Sequence, residues 1–99
     1  MGRSMQYQEL LNYKPQIMKL FNRYGVTNPR VFGSTAKGTA RKESDIDFLV
    51  TWSVKHNLID RIQLKTSLEE LLHQRVDLVT DKTLHVVIRD AVIKSAKPL

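Results

Sequence analysis

The run Asp45-Ile46-Asp47-Phe48-Leu49-Val50 constrains this chain more than any other stretch. Its apolar residues read as a strand bound for a core, yet two carboxylates stand at its mouth. Successive side chains of a strand alternate between faces. Asp45 and Asp47 therefore share one face, and Ile46, Phe48 and Val50 share the other. Charges at the mouth of a buried strand are costly unless something neutralises them.

A third acid offers itself in Arg75 to Thr80 (RVDLVT), where Val76 and Leu78 alternate with Asp77 and Val79. If this strand lies beside the first, Asp77 joins the other two. Two anions ~5 Å apart repel by roughly 3 kcal/mol at an effective dielectric of ~20. Protonation of one would relieve that, and so would a divalent cation. Oxygen ligands without cysteine or an adjacent histidine suit Mg²⁺ or Mn²⁺ rather than zinc. Mg²⁺ usually takes one or two carboxylates and completes its shell with water and phosphate oxygens, so the acids imply a nucleotide as well.

Gly33-Ser34, just after the short apolar run Arg30-Val31-Phe32, supplies the other half. Glycine lets backbone come close to a phosphate, and the next amides can point at it. The Ser34 hydroxyl can donate to a phosphate oxygen, and a helix starting there would favour the same anion. Lys37, Arg41 and Lys42 are nearby cations able to meet a triphosphate; a solvated basic loop is the competing reading for them. Gly33 to Gly38 has the glycine spacing of a P-loop, but Thr39-Ala40 replaces the required Lys and Ser/Thr. His56, His73 and His85 lack metal-ligand spacing and read as surface or packing residues.

The remaining pattern is that of one small α+β domain. Leu10, Leu11, Ile17, Met18, Leu20, Phe21 and Tyr24 recur at helical spacing, with Pro15 in the first turn of a second helical piece and Gly25 as the stop. A strand over 30–32 follows, then a loop or short helix over 34–44 and a strand over 45–51. Asn57 and Asp60 announce a helix to about His73 with a stripe of Leu58, Ile59, Ile62, Leu68, Leu71 and Leu72. After the strand over 75–80, Asp81 or Thr83 caps a last helix carrying Leu84, Val87, Ile88, Ala91 and Val92, which Pro98 ends. This order predicts a small sheet of three or so strands with helices packed against it.

Composition narrows the classes. At 99 residues there is room for one domain, and 41% hydrophobic with 26% charged residues is a globular rather than a disordered balance. The absence of cysteine excludes disulfides, thiolate zinc and a cysteine nucleophile, and fits a reducing cytoplasm. No apolar run can span a bilayer, and MGRSMQYQEL has no signal-peptide core. Gly2-Arg3-Ser4 ahead of a second methionine reads as an appended leader, with Met5 the natural start. The net charge of +6 suits nucleic acid, nucleotides or an acidic protein partner. The basic residues are spread along the chain with no arginine-rich or aromatic-interleaved run, so nucleic acid is not the expected partner.

Gly33-Ser34, ten intervening residues and Asp45-Ile46-Asp47 together resemble the G-S-x10-D-x-D pattern of the DNA polymerase β-like nucleotidyltransferase superfamily. Within it the chain is most similar to the minimal nucleotidyltransferases, over RVFGS, SDIDFLV, RVDLVT and LHVVIRDAVIKSAKPL. The resemblance implies that residues 1–99 are a single minimal nucleotidyltransferase domain with a mixed three- to four-stranded sheet. It implies that Asp45, Asp47 and Asp77 bind two metal ions and act in catalysis, and that Gly33 and Ser34 hold the triphosphate. Lys37 stands where relatives often carry arginine; it keeps the charge but not the planar fork. One metal, on all three acids, would activate the acceptor hydroxyl; the other, on Asp45 and Asp47, would bind the triphosphate. Asp77 can also serve as general base.

The resemblance further implies ATP as substrate and a HEPN-domain toxin as partner, with AMP passed to a toxin tyrosine and this chain acting as antitoxin. A chain this short leaves the acceptor to be held in trans, which favours a protein acceptor and a hetero-oligomer, or a homodimer in its absence. Trp52, Val54 and Leu58 are candidates for that meeting surface, although core packing explains them equally. The alternatives are an antitoxin that neutralises by binding alone, and a basic nucleic-acid-binding domain.

Overall fold

The computed structural model describes residues 5–39, 45–80, 82–84 and 86–99. The expected leader at residues 1–4 lies outside them. The elements run α1 (Tyr7–Leu11), α2 (Lys14–Arg23), β1 (Val26–Phe32), α3 (Gly33–Lys37), β2 (Ile46–Trp52), α4 (Leu58–Leu72), β3 (Val76–Thr80), α5 (Val86–Ser95) and β4 (Lys97–Pro98). The four strands form one sheet in the order β3-β2-β1-β4. β2 is parallel to β3, while β1 is antiparallel to both β2 and β4, so the sheet is mixed as expected.

Alternation along β2 builds the two faces. Ile46, Phe48 and Val50 enter the main core with Val31 of β1 and with Val76 and Leu78 of β3. Ile17 and Phe21 of α2 and Leu64, Leu68 and Leu72 of α4 cover that face. Phe21 meets Phe48 edge-on, ring centroids 5.5 Å apart. Asp47 and the fully buried Leu49 belong to the opposite face, and α3 packs on β1 and β2.

Local chemistry sets the ends. Pro15 sits in the first turn of α2, where its missing N–H costs nothing. Gly25 follows α2 with φ 74°, the left-handed turn that glycine takes without strain. At α4, Asn57 accepts from the Asp60 amide (2.8 Å) and Asp60 accepts from the Asn57 amide (3.1 Å), a reciprocal capping box. Glu69 then accepts from the Val76 amide at 3.0 Å, and Arg61 donates to the Leu78 carbonyl at 3.3 Å. These bonds tie α4 to β3 and hold Asp77 at a fixed height in the sheet.

Four expectations are corrected. β1 begins at Val26 rather than Arg30, because a bulge between Thr27 and Arg30 absorbs Asn28-Pro29, with Asn28 at φ 51°. Leu58, Ile59 and Ile62 do not join the core stripe of α4; they are exposed, and the buried row is Leu64, Leu68 and Leu72. Pro98 does not simply end α5. Lys97 and Pro98 form β4, with Arg30 opposite Pro98 and Val31 opposite Lys97. Pro98 lacks an N–H, which an edge strand tolerates. Leu84, expected within the last helix, is buried ahead of α5, and Thr83 bonds with Thr80 instead of capping the helix, while Ile88 is half exposed; Asp81 lies outside the described residues.

Candidate active site

The parallel pairing of β2 and β3 sets Asp47 directly opposite Asp77. The register follows from the core: Ile46 opposes Val76 and Phe48 opposes Leu78, and a slip of one residue would turn the acid of the slipped strand into the core. Asp45 stands one residue ahead of β2. Burial first, then the charges of Asp77 and of Asp45, together push the Asp47 carboxyl from 3.8 up to about 6. Asp47 therefore feels both other acids.

Asp45 also has a partner that alternation along one strand did not reveal. Arg75 Nε lies 3.1 Å from Asp45 Oδ1. Arg75 precedes β3 as Asp45 precedes β2, so the register that pairs 46 with 76 brings 45 to 75. Extending the strand pairing back by one residue would have found it. The pair is well exposed and contributes about 1 kcal/mol or less.

Gly33 opens α3 at φ 71°, directly after β1. Phe32 opposes Asp47 across the β1–β2 pair, so the chain turns immediately beside that carboxylate. A methyl group added at Gly33 would collide with an Asp47 carboxylate oxygen. Only glycine meets both the backbone angle and the contact. The turn thus brings the Gly33-Ser34 backbone against the acids, as a phosphate cradle requires. Ser34 is partly exposed there. Lys37 projects from the last turn of α3 and is exposed. Arg41 and Lys42 lie outside the described residues.

Among the described residues, no three acidic or histidine side chains converge as a metal cluster. Asp45 is engaged by Arg75. The donor set nevertheless suits a hard cation. Asp47 and Asp77 are neighbouring carboxylates of the kind such an ion takes, and Asp47 is half-buried beside like charges that a divalent ion would offset. Of the histidines, His56 stacks on Trp52 at 4.0 Å and His73 is an exposed helix end, so neither serves the acids. His85 lies outside the described residues.

Comparison with known proteins identifies the family and agrees with the fold. The family model "Polymerase beta, Nucleotidyltransferase" matches residues 15–99. Protein adenylyltransferase MntA of Thermococcus cleftensis is 40% identical over 76 residues, 77% of each chain. A candidate protein adenylyltransferase of Methanocaldococcus jannaschii is 34% identical over 83 residues, 84% of this chain and 89% of the relative. Among solved structures, a candidate minimal nucleotidyltransferase superposes with a TM-score of 0.85 at 39% identity, over 99% of this chain and 100% of the other. A toxin–antitoxin crystal structure with AMP-PNP gives 0.72 at 29% identity, over 86% of this chain and 70% of the other.

Proposed function

This chain belongs to the polymerase β nucleotidyltransferase family, and we propose that it transfers AMP from ATP to a tyrosine hydroxyl of a HEPN-type toxin, acting as its antitoxin. The observation that carries the reading is the contact of Gly33 with Asp47, which itself lies opposite Asp77. A backbone able to receive phosphate and a pair of carboxylates able to hold a divalent cation meet at one point. The T. cleftensis relative's name and the AMP-PNP bound to a toxin–antitoxin pair support adenylyl transfer between two proteins.

The roles follow from position. Gly33 admits the triphosphate close to the main chain, and Ser34 donates its hydroxyl to a phosphate oxygen. Lys37, with Arg41, offers positive charge to the same group. Asp47 and Asp77 would hold Mg²⁺ or Mn²⁺, with Asp45 joining by exchanging Arg75 for the ion. Bound there, the metal supplies charge neutralisation for the triphosphate and acidity for the acceptor hydroxyl. Asp77 is exposed on an edge strand, so an acceptor can approach it from outside, and its carboxylate takes the hydroxyl proton. The acceptor oxygen bonds to the α-phosphorus, the bond to the β-phosphate bridge breaks, and pyrophosphate leaves.

The test is intact-mass analysis of the HEPN-type protein encoded beside this chain, after incubation with it, ATP and Mg²⁺. The expected result is a gain of one or more AMP units, abolished by Asp47→Asn and by Asp77→Asn. No gain with any of the four nucleoside triphosphates, alongside a stable complex and lost toxicity, would leave an antitoxin that acts by binding alone.

A further inference from the structure

At the end of the sheet away from the acids, four large aliphatic side chains lie exposed within nine residues. Val54 is 54% exposed, Leu58 68%, Ile59 63% and Ile62 53%. Single exposed aliphatics are ordinary, whereas a cluster marks a surface that something covers. Helical geometry makes it one face. At about 100° per residue, Leu58, Ile59 and Ile62 fall within an arc of about 100° turned away from the Leu64-Leu68-Leu72 row. The first half of α4 is thus apolar on its outer side as well as toward the core, unlike a helix that faces water.

A cavity of about 590 Å³ adjoins this face, lined among others by Trp52, Val54, Lys55, His56, Arg61 and Lys82. Three of its described lining residues are fixed cations and none is an acid. The surface is therefore apolar on one side and cationic on the other. A second copy of the chain fits it poorly: a two-fold contact would set Lys55, Arg61 and Lys82 against their own images, between two molecules each of net charge +6. Nucleic acid would meet the cations, but four aliphatic side chains offer phosphate and sugar nothing. The aromatic Trp52 is already stacked by His56.

We propose that this face, from Val54 to Ile62 with Lys55, Arg61 and Lys82 at its margin, docks a protein whose aliphatic contact residues are bordered by carboxylates. This rests on the reading that the acceptor is a protein, and assigns it a docking surface. The cavity lies three to five residues along β2 from Asp47, roughly 10–17 Å at the strand rise. The partner is tethered here, and the group to be modified reaches the acids separately.

The test measures association of the full chain with the HEPN-type protein encoded beside it, by titration calorimetry and sedimentation. Asp47→Asn should bind as wild type. Ile59→Asp/Ile62→Asp, exposed positions whose folding is checked by thermal melting, should weaken binding at least ~10-fold. Lys55→Glu/Lys82→Glu should weaken it too, and should flatten its dependence on salt. Unchanged affinity in the Ile59→Asp/Ile62→Asp variant overturns the docking surface and leaves the transfer reading standing. Failure of wild type to bind overturns the protein-acceptor reading and this surface with it. A homodimer dispersed by the aspartates, or oligonucleotide affinity lost in the glutamate variant while protein binding persists, would assign the face to another occupant.

Discussion

Asp47 shows how a single side chain can work against the fold that positions it. Its carboxyl titrates at about 6 in the folded chain, against 3.8 for the free group. Between those values the native state holds a proton that the unfolded state has lost. Stability therefore falls as pH rises from 3.8 to 6 and is level above. The full shift is worth about 3 kcal/mol, and solvent screening at this half-exposed site reduces it to roughly 1–2. In the presence of chelator, Asp47→Asn should stabilise the protein by about that much at pH 8 and leave it unchanged at pH 4, as read from urea denaturation. Equal stability at pH 8 would mean that the charge is already compensated. Added Mg²⁺ should raise the stability of wild type but not of the variant, and less so below pH 6, where the proton competes. The pairing of Asp47 with Asp77 was legible once alternation along each strand was joined to the assumption that the two strands are neighbours. Arg75 was missed because it precedes the strand proper, and that same register was not extended one residue back to Asp45.

Among elements, α4 was the most legible, since its capping box is local chemistry. Its outer face was misread because aliphatic residues at helical spacing look alike whether they meet the core or a partner. β1 was cut short for a related reason: Asn28-Pro29 reads as a turn unless the strand opposite is known to accept a bulge. β4 has two residues, too few to show any periodicity. The end of α4 carries a cost of its own. His73 closes the helix at φ 53°, a left-handed position where Cβ crowds the backbone. His73→Gly should therefore raise stability by about 0.5–1 kcal/mol, measured by urea denaturation at pH 8. A loss instead would show that the exposed imidazole makes a compensating contact.

For the molecule as a whole, the closing contact joins its two ends. β4 covers the outer edge of β1, and the Leu99 amide donates to the Pro29 carbonyl at 3.1 Å. The Tyr7 hydroxyl of α1 donates to the Pro98 carbonyl at 2.6 Å, and the Lys97 ammonium lies 5.0 Å above the Tyr7 ring. A two-residue strand cannot hold itself in place, so its order depends on this anchor to α1. Tyr7→Phe keeps the ring under Lys97 and removes only the hydroxyl. The lost bond should cost about 1 kcal/mol, roughly fivefold in the local opening equilibrium. Hydrogen exchange resolves where that cost falls. Faster exchange at the Leu99 amide with unchanged protection at Phe48, deep in the core, would show β4 opening on its own while the sheet that carries the acids stays closed. Acceleration at both amides would show instead that the anchor contributes to global stability, so that β1, β2 and β4 open together.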